Sequence, residues 1–133
     1  MKKQATLAVL ALLAGCASAP THGPGINDLR DPQYLRAERK IPMTFAKIQM
    51  ALFEHQKTCG AGPEFRRDQS SPSYASIVQK LEPSAQWDRT ILVDLVLLQN
   101  APVRATAYSY YAGNDDRIRQ VFDAVLHPQQ CPQ

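Results

Sequence analysis

Residues 89–98 read Arg-Thr-Ile-Leu-Val-Asp-Leu-Val-Leu-Leu. This run is β-branched and leucine-rich, and its apolar residues do not alternate with polar ones. Ile91, Val93, Leu95 and Leu97 share one face of a strand, and Leu92, Asp94, Val96 and Leu98 share the other. A strand that is apolar on both faces must be central in a sheet and covered on both sides. The remaining elements must therefore supply flanking strands and at least one covering layer.

The flanking strands can be found by their turn chemistry. Residues 74–81 form a run that Pro83-Ser84-Ala85 ends, and Gln69-Ser70-Ser71-Pro72-Ser73 separates it from a weaker strand at 64–68. After residue 98, Gln99-Asn100-Ala101-Pro102 turns the chain into a strand at 103–111, the expected hairpin partner. Two helices bracket these strands. Residues 41–58 carry Phe45, Ile48, Leu52 and His55 at helical spacing, widened by Ala46, Met50 and Phe53. Thr44 is the candidate N-cap, and Lys57 and Gly60 mark the C-terminus. The second helix opens at Gly113-Asn114-Asp115, buries Ile118, Val121, Phe122, Val125 and Leu126, and stops before Pro128. The expected fold is α+β: a three- to four-stranded antiparallel sheet with two helices on one face, in the order helix, strands, helix. With 133 residues, one such domain fills the chain.

The N-terminus has a different composition. Lys2 and Lys3 precede an apolar run at 5–14 that is too short to span a bilayer and has the length of a signal-peptide core. It ends in Leu13-Ala14-Gly15-Cys16. This resembles the lipobox of bacterial lipoproteins, in which small residues precede a cysteine. The resemblance covers residues 1–16. It implies that residues 1–15 are a signal peptide, that the Cys16 thiol receives a diacylglycerol, and that the new amino group takes a further acyl chain such as palmitate. Ala17 and Ser18, with no aspartate, resemble the sorting context of Gram-negative lipoproteins sent to the outer membrane, by default facing the periplasm. Residues 16–40 would be a lipidated tether and irregular arm, with a short helical turn at Asp31 to Arg39. The folded domain would be residues 41–133.

The net charge of +3 excludes a strongly basic nucleic-acid binder, so no nucleic-acid partner is expected. Removing residues 1–15 takes away Lys2 and Lys3 and leaves 13 basic side chains against 12 acidic ones. A nearly neutral domain has no general electrostatic attraction to lipid or nucleic acid.

Once Cys16 is set aside, Cys59 and Cys131 remain, and an even pair in an oxidising compartment reads as a disulfide. It would clamp the tail to the end of the first helix. The alternative is a zinc site of His55, Cys59, His127 and Cys131, since each histidine precedes its cysteine by four residues. Oxidation would consume the thiolates that zinc requires. On the disulfide reading, His55 and His127 are surface or rim residues.

No catalytic motif is present: there is no Gly-x-Ser-x-Gly, no His-Glu-x-x-His and no phosphate-cradling glycine loop. Asp88 and Asp94, six residues apart, are too distant along a strand to pair. The expected role is non-catalytic and without cofactor. The second sheet face is the candidate partner surface, with Leu92, Asp94, Val96, Arg104, Tyr108 and Tyr110, Asp94 pairing with Arg104. The competing reading folds residues 26–41 over this face through Ile26, Leu29, Tyr34 and Leu35 and makes it a second core. These expectations describe an outer-membrane lipoprotein that binds another envelope protein. The alternative is a periplasmic module for a small ligand: a peptidoglycan fragment, a lipid or a metal.

Overall fold

The computed structural model describes residues 23–99 and 102–133. The signal-like segment, the lipobox cysteine Cys16 and the centre of the turn after Gln99 lie outside the described residues.

Five antiparallel strands form one sheet: β1 (Leu35–Ile41), β2 (Glu64–Arg67), β3 (Tyr74–Lys80), β4 (Thr90–Val96) and β5 (Val103–Tyr108). Their spatial order is β1-β5-β4-β3-β2, so β2 to β5 are a meander and β1 joins beside β5. The central element is β4, as its doubly apolar sequence requires, with Val93 opposite Ile77 on one side and Ala107 on the other.

Two substantial helices, α2 (Phe45–Cys59) and α3 (Asp115–Leu126), pack against the sheet; α1 is a single turn, Ile26–Leu29. Phe45, Ile48 and Leu52 of α2 and Ile118, Val121, Phe122 and Val125 of α3 share one buried cluster with Ile77, Ile91, Val93, Leu95, Val103, Ala105 and Ala107. The small residues of β5 lie under the helices, where a larger side chain would hold them off the sheet. Each fully buried Ile, Leu or Val here contributes on the order of 1.5–3 kcal/mol. The Thr44 hydroxyl caps α2 by accepting from the Lys47 amide at 3.3 Å, and Gly60 ends it in the left-handed conformation at φ 78°.

Three expectations are corrected by this architecture. The sheet has five strands, and the order is strand, helix, strands, helix, because residues 35–41 are a strand and not an irregular arm. The reason is visible in β1, Leu-Arg-Ala-Glu-Arg-Lys-Ile. It is an edge strand, and an edge tolerates charge on most positions. Only Ala37 and Ile41 enter the main core, while the Arg39 guanidinium lies 4.6 Å over the Phe122 ring. The folded unit therefore begins before residue 41. Second, Ala46, Met50 and Phe53 do not widen the buried stripe of α2 but point outward, and Leu126 of α3 is exposed. Third, His55 is no rim residue.

His55 is 4% exposed, and its Nδ1 lies 3.0 Å from the Pro128 carbonyl. A carbonyl only accepts, so Nδ1 carries the proton and donates. His127 is exposed, as expected. Cys59 and Cys131 form a disulfide with their Cα atoms 5.4 Å apart. The bridge and the His55–Pro128 bond fasten the tail alongside α2. Neither thiol is free, so the four-residue zinc site is not formed.

Candidate interaction face

The sheet face opposite α2 and α3 is organised in cross-strand rows. One row runs Leu35, Tyr108, Leu92, Val78 and Glu64; the next runs Glu38, Thr106, Asp94, Ser76 and Arg66; the third runs Lys40, Arg104, Val96 and Tyr74. The first row is apolar apart from Glu64 at its end, and its middle needs cover. The third is exposed or half-buried throughout.

Cover comes from the segment before β1. Leu29, the last residue of α1, is fully buried against Val78 and Leu92, with Ile26, Tyr34, Trp87, Tyr108 and Tyr110 around them. Local bonds hold the segment in shape. The Gly25 amide donates to Asp28 Oδ2 at 2.7 Å, and Asp31 Oδ1 accepts from the Gln33 amide at 3.1 Å to cap a short 3-10 turn over Pro32–Tyr34. Pro32 stands first in that turn, where its missing N–H costs nothing. Long-range bonds then fix the segment to the sheet. Arg30 donates to both carboxylate oxygens of Asp94, Nε to Oδ2 at 2.7 Å and Nη2 to Oδ1 at 2.9 Å. Arg36 donates to the carbonyls of Ser109 and Tyr110 at 2.9 and 3.1 Å, and the Ser109 amide donates to the Tyr34 carbonyl. The Tyr34 ring stacks on Tyr110, centroids 4.9 Å apart.

The two readings of this face each hold for part of it. The arm covers it through Ile26, Leu29 and Tyr34, while Leu35 remains exposed. Of the expected contact residues, Leu92 is wholly buried, Tyr110 is stacked under the arm, and Asp94 is engaged by Arg30. The expected Asp94–Arg104 pair does not form, because the register sets Asp94 opposite Thr106 and Arg104 opposite Val96. Val96, Arg104 and Tyr108 remain available, and sequence reasoning missed the neighbours Tyr74, Ser76 and Glu38; Arg66, which the sequence suggests as part of a solvated edge, completes the patch. Alternation along residues 74–80 puts Tyr74 and Ser76 on one face, but only the strand pairing places that face beside Val96.

Together these residues line a groove of about 760 Å³ between the arm, β2 and β5. The bond to Asp94 raises the pKa of Arg30 against the opposing effect of burial. Burial raises that of the Tyr108 phenol, with Asp94 adding to it. Arg30 therefore stays charged and Tyr108 stays a neutral hydroxyl at physiological pH, able to donate or accept one bond. At the groove's edge, Lys40 and Arg104 stand directly opposite in register, a like-charge pair that costs stability and that an acidic group would relieve.

No helix among the described residues is long and apolar enough to cross a membrane. Comparison of the chain with known protein families, curated proteins and solved structures finds no match.

Proposed function

We propose that this chain is a lipid-anchored protein of the outer membrane, acylated at Cys16, whose domain binds another envelope protein and carries out no catalysis. The observation that supports the binding role is the half-open sheet face. An ordered arm packs on Val78 and Leu92 and stops, leaving Tyr74 and Arg104 exposed with Val96 and Tyr108 half-buried beside them. Tyrosine and arginine are the side chains that most often anchor interfaces. The anchor and its location rest on the Leu13-Ala14-Gly15-Cys16 resemblance.

The test is in-cell crosslinking of the full chain, repeated with Tyr74→Ala combined with Arg104→Glu. Both side chains are exposed, so the variant should fold as the parent does. One dominant envelope protein captured by the parent and lost by the variant supports the reading, and a folded variant that keeps every partner rejects it. A second reading is a small-ligand module. The groove volume lies within the usual range for ligand sites, and a peptidoglycan fragment, lipid or metal that protects the groove from hydrogen exchange would favour it.

A further inference from the structure

Among the described residues eight large apolar side chains are exposed, and five of them, Met50, Phe53, Leu97, Leu98 and Leu126, belong to one continuous surface. They line two shallow hollows that adjoin through Met43 and Lys47. One hollow lies between the outer face of α2 and the end of α3. The other lies between the start of α2 and the end of β4. Met50 and Phe53 are the most exposed, at 65% and 63%. Apolar surface of this extent is rarely left bare on a protein that has no use for it.

The charges lining it are mostly basic: two lysines against one carboxylate. Lys47 borders both hollows and Lys57 borders the first. The one carboxylate on their rims, Glu54, already accepts from Gln129 Nε2 at 2.8 Å. Long, flexible apolar side chains fringed by lysines are the composition of a surface that dips into a headgroup layer, with the lysine stems lying along the apolar region and their ammonium groups on phosphate.

We infer that this end of the molecule rests on an anionic lipid bilayer. The inference draws on the proposed acylation in one respect: the anchor would hold the domain at the bilayer at high effective concentration. The segment from Cys16 to Gly25 spans at most about 30 Å when extended. Leu97 and Leu98 follow directly on β4, the strand whose Asp94 fastens the arm. A tether of that reach would hold the domain close to the bilayer, where this surface can meet it. The groove beside the arm lies on the sheet face and would remain open to a protein partner.

The experiment places the photoreactive residue p-benzoylphenylalanine in the full chain at Leu98, Phe53 or, on an exposed position outside this surface, Tyr111. The protein is reconstituted in vesicles of phosphatidylethanolamine with phosphatidylglycerol, and the acylation state of Cys16 is read by mass spectrometry. Lipid adducts at Leu98 and Phe53 but not at Tyr111 are expected. Lys47→Glu combined with Lys57→Glu should lower their yield about fivefold or more. Equal adducts at all three positions, or none at Leu98 and Phe53, would overturn the inference whether or not Cys16 is acylated. In cells, adducts to one protein at Leu98 and Phe53 would overturn it in favour of a protein contact. An unacylated Cys16 with site-specific adducts intact would remove the anchor and support the lipid-facing surface.

Discussion

Replacing Leu29 with alanine should release the arm from the sheet. Leu29 is fully buried, and its partners Val78 and Leu92 are the other buried members of its cluster. Removing three carbons forfeits about 2.4 kcal/mol of transfer free energy at 0.8 per methylene. The cavity term adds little, because α1 is a single turn at the surface and can settle into the space. The expected loss is about 2–3 kcal/mol, the low end for a buried leucine. The same change at Ile48, enclosed between α2 and the sheet, should cost about 3–5 kcal/mol. The Arg30–Asp94 pair cannot hold the arm in place of Leu29. Its side chains are 38% and 22% exposed, so solvent screening limits it to about 1 kcal/mol. Urea unfolding with the disulfide intact measures the loss. Trp87, the one tryptophan of the chain and a neighbour of Leu29, reports the arm by its fluorescence. Trypsin cleavage after Arg30 should accelerate in step. A variant within about 0.5 kcal/mol of the parent, with unchanged cleavage at Arg30, would refute the idea that Leu29 docks the arm.

Other substitutions probe the remaining ties. Cys59→Ser with Cys131→Ser should lower stability by about 2–4 kcal/mol, the range for a loop this long, read as a shift in the urea midpoint. Gly62→Ala would set a methyl 2.9 Å from His55 Cδ2, and the bond to Pro128 prevents the ring from moving aside. Calorimetry should show a loss of about 1–2 kcal/mol. The Asp68 carboxylate accepts from the Ser70 hydroxyl, the Ser70 amide and the Ser71 amide, which hold its pKa below the usual carboxylate range. A depressed folded pKa contributes stability above the unfolded value and loses it as pH falls through the folded one. Asp68→Asn should therefore weaken the domain at neutral pH and match the parent in strong acid, which urea midpoints across pH would show.

The residues that announce themselves are those with a single physical demand on them. Apolar on both faces, residues 90–96 could only be central, and Thr44 and Gly60 marked the ends of α2 by chemistry that requires no partner. Cys59 and Cys131 paired as an even pair predicts once Cys16 is set aside, and not as zinc ligands. What stayed hidden depended on long-range partners. Residues 35–41 carry charges at Arg36, Glu38, Arg39 and Lys40, a pattern that suits an edge strand or a loop equally well until β5 is seen beside it. Arg30 gives no local sign that it reaches Asp94, 64 positions away. Asp94 and Arg104 look like hairpin partners in the sequence, but the register sets Thr106 opposite Asp94 and Val96 opposite Arg104. Helical spacing alone could not separate a wide buried stripe on α2 from a narrow one with Met50 and Phe53 on its outer side.

The pairing of β1 with β5 determines when the domain can form. The first strand of the sheet, residues 35–41, has its hydrogen-bond partner at residues 103–108, so its edge position closes only after some sixty intervening residues are in hand. Such a contact is slow to find, because the long loop must close before any bond compensates. A chain emerging N-terminus first, from a ribosome or through a translocation pore, would therefore have no place to dock Leu29 and Arg30 until β3 and β4 followed, and none for residues 35–41 until β5. During that interval its leading segment would be loose and reachable by any enzyme that acts on it. For a protein modified near residue 16, the strand order by itself would sequence the events: modification first, closure of the sheet afterwards.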